Sequence, residues 1–377
     1  MKFSTQRHIA FRADASIQIG TGHIMRCLTL AEALRKQGAR CTFICRPHSG
    51  HLLEVIAQRG HHTVSLSNFV DAPNPLPTDP AHTAWLGTDW EADARETREA
   101  LRHEAVDWLV VDHYALDRRW EQDLRHCCQK LMVIDDLADR PHDCDVLIDQ
   151  NLGRRPQDYR DLLTPQTATL IGPQYALLRP EFSKLRPPSL TRRAQPKLQN
   201  LLITMGGVDK DNATSQVLQA LKACHLPSDL QIAVVMGPQA PFLPEVKQQA
   251  AQMPWPTQVL VGVSDMAQLM ADSDLCIGAA GGTAWERCCL GLPTLVLVLA
   301  DNQLSGAQAL EKAGAALLLS ATPDMSKVFE MHLSNAASIT TQLKKMSLAA
   351  SAVSDGLGVL RIVDAMLSER FHERMHA

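Results

Sequence analysis

Short β-branched and leucine-rich runs recur along the whole chain, each followed by a longer amphipathic stretch, and this alternation leaves few architectures open. In the first half the runs are His8–Phe11, Cys41–Cys45, His62–Leu66, Trp108–Val111, Leu131–Ile134, Val146–Ile148 and Thr169–Ile171. In the second half they are Leu201–Thr204, Gln231–Val235, Gln258–Val261, Leu275–Gly278, Thr294–Leu299 and Ala316–Leu319. Many are apolar at consecutive positions, as strands buried on both faces read, so the pattern predicts parallel sheets covered by helices. Strands alternating with helices predict βαβ units.

At a typical ~150 residues per domain, 377 residues suggest two domains. The stretch Arg186–Lys197 carries three Pro and four basic residues without apolar periodicity and reads as a linker. The expected organisation is therefore an α/β domain over residues 1–185, a linker over 186–197 and a second α/β domain over 198–377. Two Rossmann-like domains facing across a cleft would place ligands beyond the carboxyl ends of their strands. Asn68–Trp85 is Pro-rich and reads as a loop.

Composition excludes several function classes. The balance of 37 Lys+Arg against 41 Asp+Glu, net −4, argues against nucleic acid as the main partner, which calls for excess basic charge. No run reaches the ~18 uninterrupted apolar residues of a membrane-spanning helix, and the N-terminal segment has no signal-peptide h-region. A cytoplasmic protein without a membrane partner is expected. Ten Cys are too sparse for a disulfide scaffold and read as reduced thiols; the pairs Cys127–Cys128 and Cys288–Cys289 fall in helix-like runs. Cys41 and Cys45 lack a second ligand pair at zinc-finger spacing, so no structural metal is expected.

Three strand-to-helix turns carry the candidate chemistry. The first, Ile19–Arg26, follows the strand His8–Phe11 and opens a helix with apolar positions Ile24, Cys27, Leu28, Ala31 and Leu34. Gly20 and Gly22 let the backbone turn and approach a ligand, and His23 falls in the first helical turn. The positive helix end disfavours imidazolium there, which leaves a neutral ring suited to general-base work. Met25 stands where a dinucleotide fingerprint would have its third Gly, which makes a nicotinamide-linked dehydrogenase a distant reading. The second turn, Met205–Asp209 with Gly206 and Gly207, follows Leu201–Thr204, and the third, Ala279–Glu286 with Gly281, Gly282 and Thr283, follows Leu275–Gly278. Paired glycines between a strand and a helix expose successive N–H groups as an anion cradle, to which Thr283 adds a hydroxyl. Glu286, one turn into its helix, is placed to accept both hydroxyls of a ribose diol. Together the two glycine pairs indicate a nucleotide-type ligand. Asp143-Cys144-Asp145 spells D-x-D, a pattern used for metals in some nucleotide-sugar enzymes and equally compatible with a solvated turn.

With these blocks assembled, the chain resembles the UDP-2,4-diacetamido-2,4,6-trideoxy-β-L-altropyranose hydrolases of pseudaminic acid biosynthesis. The resemblance rests on Arg12–Ser16 with Ile19–Cys27, Val111–Tyr114, Ile134–Asp136, Gly172–Phe182, Met205–Asp209 with Asn212, Gly281–Cys289 and Asp301–Gln303, and spans about residues 9 to 310. It implies a two-domain GT-B-like fold in which the second domain holds UDP and the first supplies catalytic groups. It also implies His23 as base, Tyr114 as a residue that positions or activates water, and Asn212, Glu286, Asn302 and Gln303 as ligand contacts. The expected reaction is hydrolysis at the anomeric carbon with inversion, releasing UDP and the free 6-deoxy diacetamido sugar. A small-molecule UDP-sugar is the expected partner, and neither cofactor nor metal is required. The alternatives are a GT-B glycosyltransferase acting on an acceptor and a non-catalytic nucleotide-sugar-binding protein.

Overall fold

The computed structural model describes residues 6–68, 76, 78–319, 325–333 and 336–368. The chain divides into two compact units, one formed by Met1–Leu177 with Gly358–Ala377 and the other by Leu178–Leu357.

The first unit is a seven-stranded parallel sheet. Its elements are β1 His8–Ala13, α1 Gly22–Lys36, β2 Arg40–Cys45, α2 Leu53–Gln58, β3 His62–Ser65, α3 Trp90–Leu101, β4 Val106–Asp112, α4 Arg118–Leu124, β5 Cys128–Ile134, β6 Val146–Asp149 and β7 Ala168–Ile171. The strands lie in the order β3-β2-β1-β4-β5-β6-β7. Strand order therefore reverses between β1 and β4, whose registered pairs run from Ile9 with Trp108 to Ala13 with Asp112. β1 and β4 are buried almost throughout, as consecutive apolar residues in a doubly covered sheet require. Phe11 and Phe43 stack at 4.8 Å between neighbouring strands. Asp89 and Asp117 cap α3 and α4 by accepting from Ala92 and Arg119 backbone N–H groups.

The second unit repeats the plan with six parallel strands. It runs α5 Pro180–Arg193, β8 Asn200–Thr204, α6 Ala213–Lys222, β9 Gln231–Met236, α7 Leu243–Ala250, β10 Thr257–Val261, α8 Met266–Asp272, β11 Leu275–Ala279, α9 Thr283–Cys289, β12 Thr294–Leu297, α10 Leu304–Lys312, β13 Ala316–Leu319, α11 Met325–Leu333 and α12 Ala336–Val353. The order β10-β9-β8-β11-β12-β13 reverses between β8 and β11. The last helix, α13 Gly358–Leu367, returns to the first unit. There Val359, Ile362, Val363 and Met366 join the core containing Ile24, Leu28 and Trp108.

Every strand run read from the sequence forms a strand, within a few residues at its ends. The domain bounds differ. The stretch expected to be a linker is largely helix α5, with Pro187 and Pro188 inside it. Its basic residues hold it down: Arg186 donates to the carbonyls of Cys289, Ser351 and Ser354, and Arg193 to those of Met270 and Ala271. These carbonyls at and near helix ends need donors, and guanidinium groups supply them. The C-terminal residues assigned to the second domain include α13, whose apolar face completes the first unit's core instead. Cys127 ends a 3-10 turn and Cys128 begins β5, so that pair is not helical. All ten Cys are free thiols. Part of the loop Asn68–Trp85 lies outside the described residues; its end forms a 3-10 turn, Thr83–Leu86. The segment Ser338–Leu367 is apolar and long enough to cross a membrane, but it is broken between α12 and α13 and half buried in the protein.

Candidate active site

In the first unit, the loop between β1 and α1 closes on itself. Ser16 and Gly20 exchange backbone hydrogen bonds of 3.4 and 2.8 Å, and Ser16 Oγ accepts from the N–H groups of Gln18 and Ile19. Gly20 sits at φ +81°, a conformation that side-chain-bearing residues rarely adopt. A Cβ on Gly20 or Gly22 would meet nothing within 4 Å, so the backbone is open there. This turn sets His23 into the first turn of α1, where its ring is buried.

His23 Nδ1 donates to Asp112 Oδ1 at 2.6 Å. Asp112 ends β4, the strand beside β1 at the point where strand order reverses. Burial alone would raise the Asp112 carboxyl, but the Arg26 guanidinium and His23 outweigh it and hold it well below the usual carboxylate range. Arg26, three residues after His23 on α1, grips Asp112 through Nε and Nη2, both at 2.6 Å, and reaches Asp136 Oδ2 through Nη1 at 2.5 Å. With an ionised carboxylate on Nδ1, the ring proton sits there and Nε2 keeps its lone pair. Nε2 has no hydrogen-bond partner among the described residues. The arrangement can therefore take a proton from a bound nucleophile.

Tyr114 follows β4 by two residues. Its ring meets His23 edge-on at 4.6 Å between centroids, and its hydroxyl donates to Asp136 Oδ2 at 2.8 Å. Burial and the Asp136 carboxylate raise the phenol well above its ordinary value, so it stays protonated. His82 and Trp85 lie 5.5 and 5.7 Å from the Tyr114 ring and 4.4 Å from each other. Beneath this group, Arg12 bridges Asp14 and Asp93 in a fully buried cluster, and Asp14 Oδ1 accepts from the Arg46 backbone N–H. The cluster ties the ends of β1 and β2 to α3.

In the second unit the two glycine turns follow β8 and β11, which are hydrogen-bonded neighbours at the reversal of strand order. Ligands of open α/β sheets bind at that position. Gly206 adopts φ +90°, and a Cβ on Gly206, Gly207, Gly281 or Gly282 would meet nothing within 4 Å. The amides of these four glycines have no acceptor among the described residues. The α6 terminus is different: Asp209 accepts from the N–H groups of Ala213 and Thr214 at 2.9 and 3.0 Å, so its carboxylate already occupies the start of that helix. An anion cradle here is confined to the glycine backbone itself.

Asn212, in left-handed conformation at the start of α6, donates to Glu245 Oε1 at 3.0 Å, so its side-chain N–H serves the protein. Thr283 is exposed, and its Oγ1 accepts from Arg287 at 3.2 Å while its O–H remains a donor. Glu286 is half buried, and its carboxyl group has no hydrogen-bond partner among the described residues. Burial pushes its carboxyl up to about 7, against Arg179 and Arg287 and with Glu181. Asn302 is exposed on a 3-10 turn, and Gln303 turns its Oε1 to the backbone N–H of Leu299 at 3.1 Å.

Within the first unit the structure brings Gly20, Gly22, His23 and Tyr114 together. Within the second it brings Gly206 and Gly207 onto the strand beside the one that carries Gly281, Gly282, Thr283 and Glu286. Asp112, Arg26 and Asp136 were not singled out for His23 from the sequence. The available signal was Asp112 itself, which precedes His113-Tyr114 at a strand end. The D-x-D triplet is structural: Asp145 is bound by Arg125, Lys130 and the Leu131 N–H, and Asp143 accepts from Gln122. Among the described residues no three His, Cys, Asp or Glu side chains group as a metal site.

Residues 200–357 match the glycosyltransferase family 28 C-terminal domain. The chain is 26% identical to the UDP-2,4-diacetamido-2,4,6-trideoxy-beta-L-altropyranose hydrolase of Campylobacter jejuni over 307 residues, 81% of this chain and 97% of that protein. It is also 26% identical to an uncharacterized protein of Methanocaldococcus jannaschii over 301 residues, 78% of this chain and 56% of that longer relative, so it spans little more than half of it. The solved structure of Acinetobacter baumannii MurG superposes with a TM-score of 0.66 at 18% identity, covering 96% of this chain and 99% of that one. The two parallel-sheet α/β units thus share the GT-B fold, and the similarity to the Campylobacter protein extends over most of the chain.

Proposed function

We propose that this protein hydrolyses a UDP-linked 2,4-diacetamido-2,4,6-trideoxy sugar at its anomeric carbon, releasing UDP and the free sugar. The observation that carries the reading is the 2.6 Å bond from His23 Nδ1 to Asp112, which leaves Nε2 as a base at a strand end of the first unit. Likeness to the Campylobacter hydrolase supports the substrate class.

The step balances without further reagents. A water oxygen bonds to C1 as the C1–O bond to the diphosphate breaks, and the bonding pair leaves on UDP. His23 Nε2 takes one water proton, and the imidazolium formed is stabilised by Asp112. Attack opposite the leaving group inverts C1. UDP is a good leaving group, and the amides of Gly206, Gly207, Gly281 and Gly282 stabilise its charge in this reading. Glu286 accepts the ribose hydroxyls, Thr283 donates to a phosphate oxygen, and Tyr114 orders the water edge of His23. In this reading Asn302 lies near the sugar, and Asn212 and Gln303 contact the ligand. No step uses a cofactor or metal.

A second reading is favoured by the match of residues 200–357 to a glycosyltransferase domain: transfer of the sugar to an acceptor hydroxyl, with His23 deprotonating that hydroxyl instead of water. Incubation with the UDP-sugar alone in ¹⁸O-labelled water separates them. Hydrolysis gives stoichiometric UDP and one ¹⁸O in the free sugar by mass spectrometry. Absence of UDP release until an acceptor is added would overturn hydrolysis.

A further inference from the structure

Trp85 is a large aromatic residue left half buried at the end of a Pro-rich loop. It is also held in place. Its ring lies nearly parallel to Tyr114, 5.7 Å between centroids and 26° between planes, and 4.4 Å from His82. Tyr114 in turn touches His23 edge-on. Burial lowers the His82 pKa from its ordinary value, against the Asp139 carboxylate and with Arg140 and His23, so the ring is neutral near pH 7. An aromatic surface therefore begins one ring away from the base, with the Arg140 guanidinium 5.8 Å from the centre of the Tyr114 ring.

Two polar atoms distinguish this surface. The Tyr114 hydroxyl is committed to Asp136, while the Trp85 indole N–H has no acceptor among the described residues. The surface thus offers ring faces, the indole N–H and the two ring nitrogens of neutral His82, one a donor and one an acceptor. A hydroxymethyl or ring hydroxyl placed over the ring faces would lose water without gaining a partner there. A C6 methyl or an acetamido methyl would lose little, and an acetamido carbonyl would accept from the indole.

We infer that Trp85, backed by His82 and Tyr114, is the specificity wall of the sugar subsite, selecting 6-deoxy, N-acetylated sugars over their hydroxylated counterparts. The inference rests on the nucleotide-sugar reading above and deepens it by assigning the sugar's apolar substituents to named rings.

The test uses full-length wild type, Trp85→Ala and Trp85→Phe. UDP release is measured on the UDP-linked 2,4-diacetamido-2,4,6-trideoxy sugar and on UDP-N-acetylglucosamine, with UDP affinity by calorimetry and folding by thermal unfolding. Binding of the free diacetamido sugar is followed by saturation-transfer NMR of its methyl groups. Trp85→Ala is expected to lose about 10- to 100-fold in kcat/KM on the diacetamido substrate, chiefly through KM, and to lose preference over UDP-N-acetylglucosamine. UDP affinity should stay within about twofold, and Trp85→Phe should restore most of the preference. Equal losses on both nucleotides, or a lower melting temperature with the preference intact, would give Trp85 a packing role and overturn the assignment. If wild type releases no UDP yet its methyl saturation transfer disappears in Trp85→Ala, hydrolysis fails and the subsite stands. If the transfer is unchanged in Trp85→Ala or absent from wild type, the subsite fails.

Discussion

His23 Nδ1 and Asp112 Oδ1 stand 2.6 Å apart, although the residues are 89 positions apart in the chain. Pairing of β1 with β4 makes the bond possible: it aligns Ala13 with Asp112 and so brings the start of α1 to the end of β4. The carboxylate fixes which ring nitrogen carries the proton, and Arg26 fixes the carboxylate.

Replacing His23 with Ala removes the proposed base. A positioned base is worth about 10²–10⁴ in rate, so kcat should fall by that factor, about 3–5 kcal/mol of barrier, while UDP binding persists. Asp112→Asn keeps the shape but can present an N–H where the ring needs an acceptor. It should cost a comparable factor in kcat, because the carboxylate that stabilises the imidazolium is gone. Turnover near the wild-type rate in both variants would remove the dyad from the mechanism.

Glu286 has its carboxyl pushed up to about 7 by burial, with Arg179 and Arg287 opposing. If the ionised form accepts the ribose hydroxyls, UDP affinity rises as pH increases from 6 to 8. Glu286→Gln should bind UDP about tenfold more weakly at pH 8 and lose the pH dependence. Calorimetry at the two pH values checks this; equal affinities for wild type and variant would remove the ribose contact.

Asp149 presents the opposite case to Asp112. Burial and the Asp136 charge push its carboxyl up to about 6, against Asn151, Arg154 and Tyr159. The Tyr159 hydroxyl lies 2.9 Å from Asp135 and 2.8 Å from Asp149, and its one proton cannot serve both at once. A raised folded-state pKa contributes stability that is fully present below the unfolded value of about 3.9 and is lost as pH rises through about 6. Asp149→Asn does not titrate, so its stability relative to wild type should increase between pH 4.5 and 7, by up to about 2–3 kcal/mol. Urea unfolding across that range tests the sign, and a constant difference would contradict it.

Arg186 binds three backbone carbonyls, those of Cys289, Ser351 and Ser354. Arg186→Ala leaves them without a charged donor and should destabilise the second unit by about 2–3 kcal/mol, read as a lower denaturant midpoint. An unchanged midpoint would mean that water replaces the guanidinium without loss.

The strands were legible because parallel sheets covered on both faces write themselves as consecutive apolar residues, as in Leu109–Val111 or Leu201–Ile203. The glycine turns were legible because each directly follows such a run. Helix α5 was not. Its proline pair and basic residues mimic a linker, and it is held by tertiary bonds from Arg186 and Arg193 that no local pattern announces. Cys128 was read as helical because a strand beginning Cys-Gln-Lys has little apolar signal at its outer end. His23 was legible from its turn, whereas Asp112 as its partner required knowing that β4 lies beside β1. Trp85 was hidden in a stretch without periodicity, since a ring's exposure and neighbours are properties of the folded chain.

The return of α13 to the first unit means that the polypeptide passes from one unit to the other twice, after Leu177 and again after Leu357. Residues 178–357 are therefore one continuous segment, whereas the unit that carries His23 is built from two stretches of chain. A stop codon before Gly358 would remove Ile362 and Met366 from the core beneath α1, so a truncation more than 300 residues along the chain from His23 would be felt at His23.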